Sequence, residues 1–254
     1  MKLGIIQSRG LGDIVIALPI ARYYHDQGWQ VHWPICREFL AHLELSVPWV
    51  HWHAVTTDQG SFFLEQPQRI LEQEGCDLII PLYQALTGQD YHLETYFQHT
   101  KFDQYKYIRA GVPFDHKWRL KDCLVRQPQR EAALMDLIKS QLPQPDSDYI
   151  LVHVQGSDHR ARFDTAIIPQ GMPCIEITEL TYSIFDWLWA LEQAWAVILV
   201  DSVYSNLVDQ LGLQTADSRY FIPRSHIGLT PVLGQHWNWI SNQNLGSAAA
   251  TIRV

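Results

Sequence analysis

The stretch Ile5-Ile6-Gln7-Ser8-Arg9-Gly10-Leu11-Gly12-Asp13-Ile14-Val15-Ile16-Ala17-Leu18-Pro19 decides how the rest of the chain is read. Leu3 to Gln7 reads as a short buried strand, and Ser8 to Gly12 as a loop with two glycines. Asp13 stands where a helix begins. An aspartate there can cap exposed N–H groups and interacts favourably with the helix dipole. Glycines let a ligand approach the backbone closely, and the N–H groups of a helix start suit anions. A carboxylate fixed at such an edge could instead take a proton from a bound hydroxyl. An ordinary strand-to-helix turn with a capping aspartate accounts for the same residues, so these readings stand side by side.

Outward from that turn, Ile14, Leu18, Ala21 and Tyr24 have helical spacing over Ile14 to Gln27, with Pro19 predicting a kink or a shifted start. Gly28 stops the helix and Gln30 to Pro34 gives a second strand, the opening of a doubly wound sheet. Arg37 to Leu45 and Pro67 to Glu74 read as helices, Val50 to Val55 and Cys76 to Leu82 as strands. The polar, aromatic segment Gln84 to Phe102 then lies beyond a strand's carboxyl end, where open α/β sheets bind ligands. Tyr91, His92, Glu94 and His99 are candidate acceptor contacts there, a solvated helix and loop being the alternative. Tyr105 to Pro113 ends in a break, and Gln129 to Leu142 is an amphipathic helix. Pro143-Gln144-Pro145-Asp146-Ser147-Asp148 marks a domain boundary, giving domains 1–142 and 143–254.

The second half repeats the plan without a sequence repeat. Tyr149 to Val154 is a strand, and Gln155 to Arg162 is a polar loop with a glycine. Strands follow at Cys174 to Thr178, Trp195 to Val200 and Tyr220 to Pro223, with helices at Tyr182 to Ala194 and Asn206 to Leu211.

Composition narrows the classes. In 254 residues, 47% are hydrophobic and 18% charged, a globular balance. A net charge of −8 gives no global case for wrapping nucleic acid. No apolar run approaches membrane-spanning length, and the N-terminus lacks the layout of a secretion signal. Cys36, Cys76, Cys123 and Cys174 are scattered, so reduced thiols in a cytoplasmic protein are expected. Most of the ten tryptophans should pack in cores. His51-Trp52-His53 puts two imidazoles on one strand face, but no third ligand follows at a persuasive spacing. Surface histidines, and no metal, are the expectation.

A dinucleotide fingerprint fails twice: Val15 stands at the third glycine position, and the second strand ends at Pro34 instead of an acidic residue. Walker loops, nucleophile elbows and zinc-protease helices are absent from the sequence. What remains are polar residues at strand ends in two α/β halves facing a shared cleft. Asp13 lies on one side; Ser157, His159, Arg160 and Arg162, with Asp201 and Ser202 before the Asn206 helix, lie on the other. Arginines beside a helix N-terminus fit a departing diphosphate, whose charge must be neutralised as the bond breaks; a solvated loop is the alternative.

The opening Arg9-Gly10-Leu11-Gly12-Asp13-Ile14-Val15, through Leu18-Pro19, resembles the first turn of the heptosyltransferase-type glycosyltransferases, the family of the ADP-heptose:lipopolysaccharide enzymes. Val200-Asp201-Ser202 with Asn206-Leu207 and Leu211-Gly212 is similar to that family's second signature. Tyr107-Ile108-Arg109-Ala110-Gly111-Val112-Pro113 resembles the stretch before its linker, and Ile150 to Ser157 the strand and loop that start its donor domain. The ordered set runs over most of the chain. The resemblance implies an α/β, GT-B-like fold: two Rossmann-like domains with parallel sheets facing a cleft. It further implies inverting, metal-independent transfer of a sugar, without a cofactor, from a nucleotide-diphosphate sugar to a glycan or other acceptor hydroxyl. By carry-over, Asp13 is the general base, and Gly10, Leu11 and Gly12 shape the acceptor side. Asp201 and Ser202 match donor contacts, and Asn206 lies where the family has a histidine.

The chain also departs from the pattern. Val203 replaces the glycine of the second signature, and the family's Lys-Arg-Trp-Pro run is missing, leaving Arg160 and Arg162 to supply its charge. Arg162 to Thr178 is short for a full donor subdomain. A non-catalytic GT-B-fold binding module, or a sugar transferase acting on a modified nucleic-acid base, are the alternatives.

Overall fold

The computed structural model describes residues 1–57, 63–83, 100–156, 160–178, 183–224 and 230–242. They form two compact units, Met1–Arg126 and Gln127–Val254, each with its own parallel sheet.

In the first unit, β1 (Lys2–Ile6), α1 (Leu11–His25), β2 (Gln30–Cys36), α2 (Arg37–Leu43), β3 (Val50–Val55), α3 (Glu65–Gln73) and β4 (Leu78–Pro81) follow in turn. The sheet order is β3-β2-β1-β4, all parallel. After Gln30, β2 is buried throughout, as a strand covered on both faces should be. β4 is less enclosed than the apolar run 76–82 implies, with Leu78 exposed at the sheet edge. The chain builds outward from β1 through β2 to β3, then crosses back to β4 on β1's other side. Right-handed crossovers put α3 on the face opposite α1. The reversal makes the gap between the carboxyl ends of β1 and β4 the unit's switch point, where open sheets of this kind bind ligands.

α4 (Phe102–Ala110) packs against α1, and a 3₁₀ segment (Phe114–Cys123) completes the layer. α1 continues through Pro19 to His25. Pro19 has no N–H for the Val15 carbonyl one turn earlier, and the adjacent Ile16 carbonyl accepts from the Tyr107 hydroxyl at 2.9 Å.

The second unit begins earlier than the proline-rich run suggests, at 126/127 instead of 142/143. α5 (Pro128–Gln141) turns Leu134, Met135 and Ile138 inward against a 3₁₀ turn (Ile184–Trp187) and α6 (Leu188–Gln193). Arg130 grips the buried Asp186 carboxylate with Nε at 3.0 Å and Nη2 at 2.7 Å. A proline-rich run breaks a helix, but the domain follows the apolar face. The sheet comprises β5 (Ile150–His153), β6 (Cys174–Glu176), β7 (Ala196–Val200), β8 (Arg219–Ile222) and β9 (Asn238–Trp239), in the order β6-β5-β7-β8-β9. Its switch point lies between β5 and β7. α7 (Val203–Leu211) follows β7 and ends at Gly212, in the left-handed region with φ +63°. Its Asp209 is buried and accepts from the Gly234 and Gln235 backbones and Trp237 Nε1, each at 3.0 Å, pinning the segment that leads to β9. All four cysteines are free. Among the described residues, no helix is long and apolar enough to cross a membrane.

Candidate functional site

At the first switch point, the loop after β1 is fixed from several sides. The Gln7 carbonyl accepts from buried Trp33 Nε1 at 3.1 Å, and its Nε2 donates to the Arg9 carbonyl at 2.7 Å. From the end of β4, Tyr83 crosses to the same loop: its hydroxyl accepts from the Arg9 N–H at 2.8 Å and lies 3.1 Å from Ser8 Oγ. Burial, above all, pushes the Tyr83 hydroxyl's pKa up, and the nearby Asp13 charge adds to it.

Asp13 is in the first turn of α1 but does not cap it. The cap position is Gly10, whose carbonyl accepts from the Ile14 N–H at 2.9 Å. Gly10 has φ +81°, and a Cβ there would come within 2.5 Å of Asp13 Oδ2. Glycine at 10 therefore gives the carboxylate its room. Freed from capping, Asp13 Oδ1 lies 3.1 Å from Lys106 Nζ of α4. Lys106 is only 4% exposed, and its ammonium also donates to Gln7 Oε1 at 2.6 Å. Asp13 remains about one-third exposed, at 36%. A partly open carboxylate is thus held from beneath by a buried cation. Gly10, Leu11 and Gly12 adjoin it, all partly exposed. Lys106, Gln7 and Tyr83 were missed by sequence reading. The one available signal was a lysine between two aromatic residues on an inward helix face.

At the second switch point, His153 ends β5 and Ser202 follows β7, with His153 Nδ1 and Ser202 Oγ 3.0 Å apart. The imidazole packs edge-on against Tyr204 at 4.7 Å between ring centres. Burial pushes its pKa down to about 4, so at neutral pH the ring is uncharged. Ser202 caps α7 from the preceding position, and its N–H donates to Ser205 Oγ at 2.9 Å. Asp201 and Asn206 are buried beside it, the Asp201 N–H bonded to the Ile222 carbonyl at 2.9 Å.

Arg160 is not an unengaged cation. It forms a two-pronged pair with Glu176 of β6, at 2.7 and 2.8 Å. Hydrogen bonding from the guanidinium holds the Glu176 carboxyl below its ordinary range. Arg162 is exposed, and its backbone N–H donates to Asn242 Oδ1 at 3.3 Å. Ser157 and His159 lie outside the described residues, as do Tyr91, His92, Glu94 and His99. His153 was not foreseen, because its Ser202 partner is distant in sequence.

No family model matches the chain, and no curated protein matches it. Solved structures do. The glycosyl transferase family 9 protein from Veillonella parvula DSM 2008 superposes with a TM-score of 0.56 at 11% identity, over 98% of this chain and 89% of that one. E. coli ADP-heptose LPS heptosyltransferase II gives 0.54 at 11% identity, over 97% and 94%. The iron-containing dodecameric glycosyltransferase TibC from enterotoxigenic E. coli H10407 gives 0.54 at 12%, over 92% of this chain but 61% of TibC. At such identities the likeness is one of fold: this chain shares the α/β, GT-B-type fold of the heptosyltransferase-like glycosyltransferases, with its two parallel sheets.

Proposed function

We propose that this protein is a glycosyltransferase that moves a sugar from a nucleotide-diphosphate donor to an acceptor hydroxyl by inversion, without a metal in the transfer step. The observation that carries the reading is Asp13: a partly open carboxylate at the switch point of the first unit, oriented by buried Lys106 and given room by Gly10. In this reading Asp13 takes the proton of the acceptor hydroxyl as that oxygen attacks the anomeric carbon. Gly10, Leu11 and Gly12 shape the acceptor side. The second switch point receives the donor, with Asp201, Ser202 and Asn206 toward the sugar, and Ser157, His159, Arg160 and Arg162 toward the diphosphate, whose growing charge they would offset. The name of one fold neighbour, an ADP-heptose transferase, favours a nucleotide-diphosphate heptose or a related sugar as donor.

One observation favours a second reading, a module that binds nucleotide sugars without transferring them. Glu176 already occupies both prongs of the Arg160 guanidinium, lowering the positive charge available to a leaving group. A thermal-shift screen over nucleotide-diphosphate sugars, followed by release of nucleoside diphosphate in the presence of hydroxyl acceptors, separates the two. Stabilisation plus release supports the transferase. Stabilisation alone supports the module, and no response to any nucleotide sugar contradicts both.

A further inference from the structure

Away from the Asp13 edge, the first unit gathers three histidines and a glutamate on one face of its sheet. Register aligns Gly4 of β1, His32 of β2 and His51 of β3 across neighbouring strands, with His53 beside Pro34 two residues further along. Side chains two apart share a face, so all three imidazoles project together. The His32 ring lies between the other two, stacked 4.8 Å from His51 and 5.3 Å from His53.

α3 covers this face closely because Gly4 has no side chain: a Cβ there would meet Leu71 Cδ1 at 2.7 Å. That close approach brings Glu74, the residue just after α3, over the histidines. Its Oε2 is 3.8 Å from His32 Nδ1 and its Oε1 is 3.9 Å from His53 Nδ1. His32 Nδ1 and His53 Nε2 face each other at 3.1 Å. One ligand atom from each of His32, His53 and Glu74 falls within 4.8 Å of the others.

As it stands, the His32–His53 pair makes one N–H···N hydrogen bond. His32 is 5% exposed, and its Nε2 is buried with no hydrogen-bond partner among the described residues. Two imidazole nitrogens 3.1 Å apart share at most one proton. A metal ion would take the place of that proton, accepting a lone pair from each ring. Tetrahedral zinc with bonds of about 2.0–2.1 Å separates its ligand atoms by about 3.3 Å. The two nitrogens lie near that spacing at 3.1 Å, and the partly exposed Glu74 carboxylate, 3.8 and 3.9 Å from imidazole nitrogens, would move inward to complete the set. Two imidazoles and a carboxylate suit a borderline cation such as zinc, whereas magnesium prefers an all-oxygen shell. Lys2 opposes the charge, its Nζ donating to the Glu74 carbonyl at 2.8 Å, and moderates the affinity.

We propose that His32, His53 and Glu74 bind one divalent transition-metal ion of the zinc class, tying β2 and β3 to the end of α3. The site is independent of the transfer reading: His32 lies beside Gly4 within the sheet, whereas Asp13 follows the carboxyl end of β1.

The test is calorimetric titration of zinc chloride into the full chain after chelator treatment, with thermal unfolding in zinc and in magnesium. The expected result is one zinc per chain and a melting temperature raised by zinc but not by magnesium. His53→Gln and Glu74→Gln, both at partly exposed positions, should each weaken zinc binding more than about 10-fold, the loss an outer partner alone already causes, with far-UV circular dichroism unchanged. Absence of zinc uptake by the folded wild-type chain, or undiminished uptake by either variant, overturns the proposal.

Discussion

Lys106 Nζ lies 3.1 Å from Asp13 Oδ1 and 2.6 Å from Gln7 Oε1, joining α4 to both the loop after β1 and the first turn of α1. In the transfer reading it is a positioning residue, acting through the carboxylate it holds. Lys106→Met removes the cation while keeping much of its stem. Gln7 Oε1 then loses its buried donor, at a cost of about 1–3 kcal/mol in unfolding free energy. The expected kinetic signature is kcat lowered roughly 10- to 100-fold with the donor KM unchanged. Urea unfolding and steady-state kinetics read the two effects separately, and a purely structural role would leave kcat of the folded fraction intact.

Gly10 sets the space that Asp13 occupies. Gly10→Ala forces a side chain into the left-handed region, costing roughly 1–2 kcal/mol, and drives its methyl against Oδ2. Transfer should fall further than this stability loss explains. Gly28→Ala is the control, since it too has a positive φ but open space around its Cβ position. It should lose stability and keep its rate.

The neutral His153 ring gives the second unit an acid-sensitive stability. Its folded pKa, about 4, lies below the ordinary value of 6.5. Between these values the unfolded chain binds a proton that the folded chain refuses, so stability is lost as pH falls through that window and is fully present above it. The loss amounts to roughly 3 kcal/mol by the low end. His153→Gln should flatten this slope in denaturant titrations at pH 7, 5.5 and 4.5, relative to wild type.

Arg160 and Glu176 are both substantially exposed, so their pair contributes little to stability, about 0–1 kcal/mol. Its consequence lies in charge. Glu176→Gln should tighten binding of nucleoside diphosphate by releasing the guanidinium, while Arg160→Ala weakens it. Titration calorimetry checks both, with melting temperatures near wild type.

Local signals were legible where chemistry and spacing coincide. The strand, glycine pair and helix around Asp13 could be read directly, because the apolar run of β1 and the glycines of the turn lie next to one another in sequence. Interactions closed by the fold were not legible: nothing near Lys106 announces Gln7, and nothing near His153 announces Ser202. The expectation of surface histidines at 51 and 53 omitted His32 and Glu74, which join them only through strand register and the α3 crossover. The stretch 182–194 has one apolar face, yet the described part divides into a 3₁₀ turn and α6. β9 has only two residues, too few for alternation to show, and is defined by its pairing with Tyr220 and Phe221.

The most direct measurement is transfer by Asp13→Asn, which keeps the side chain's shape and removes its capacity as a base. Single-turnover transfer should slow by at least about 100-fold, with donor affinity measured by calorimetry unchanged. Transfer at the wild-type rate in that variant would contradict the assignment of Asp13 as the group that activates the acceptor.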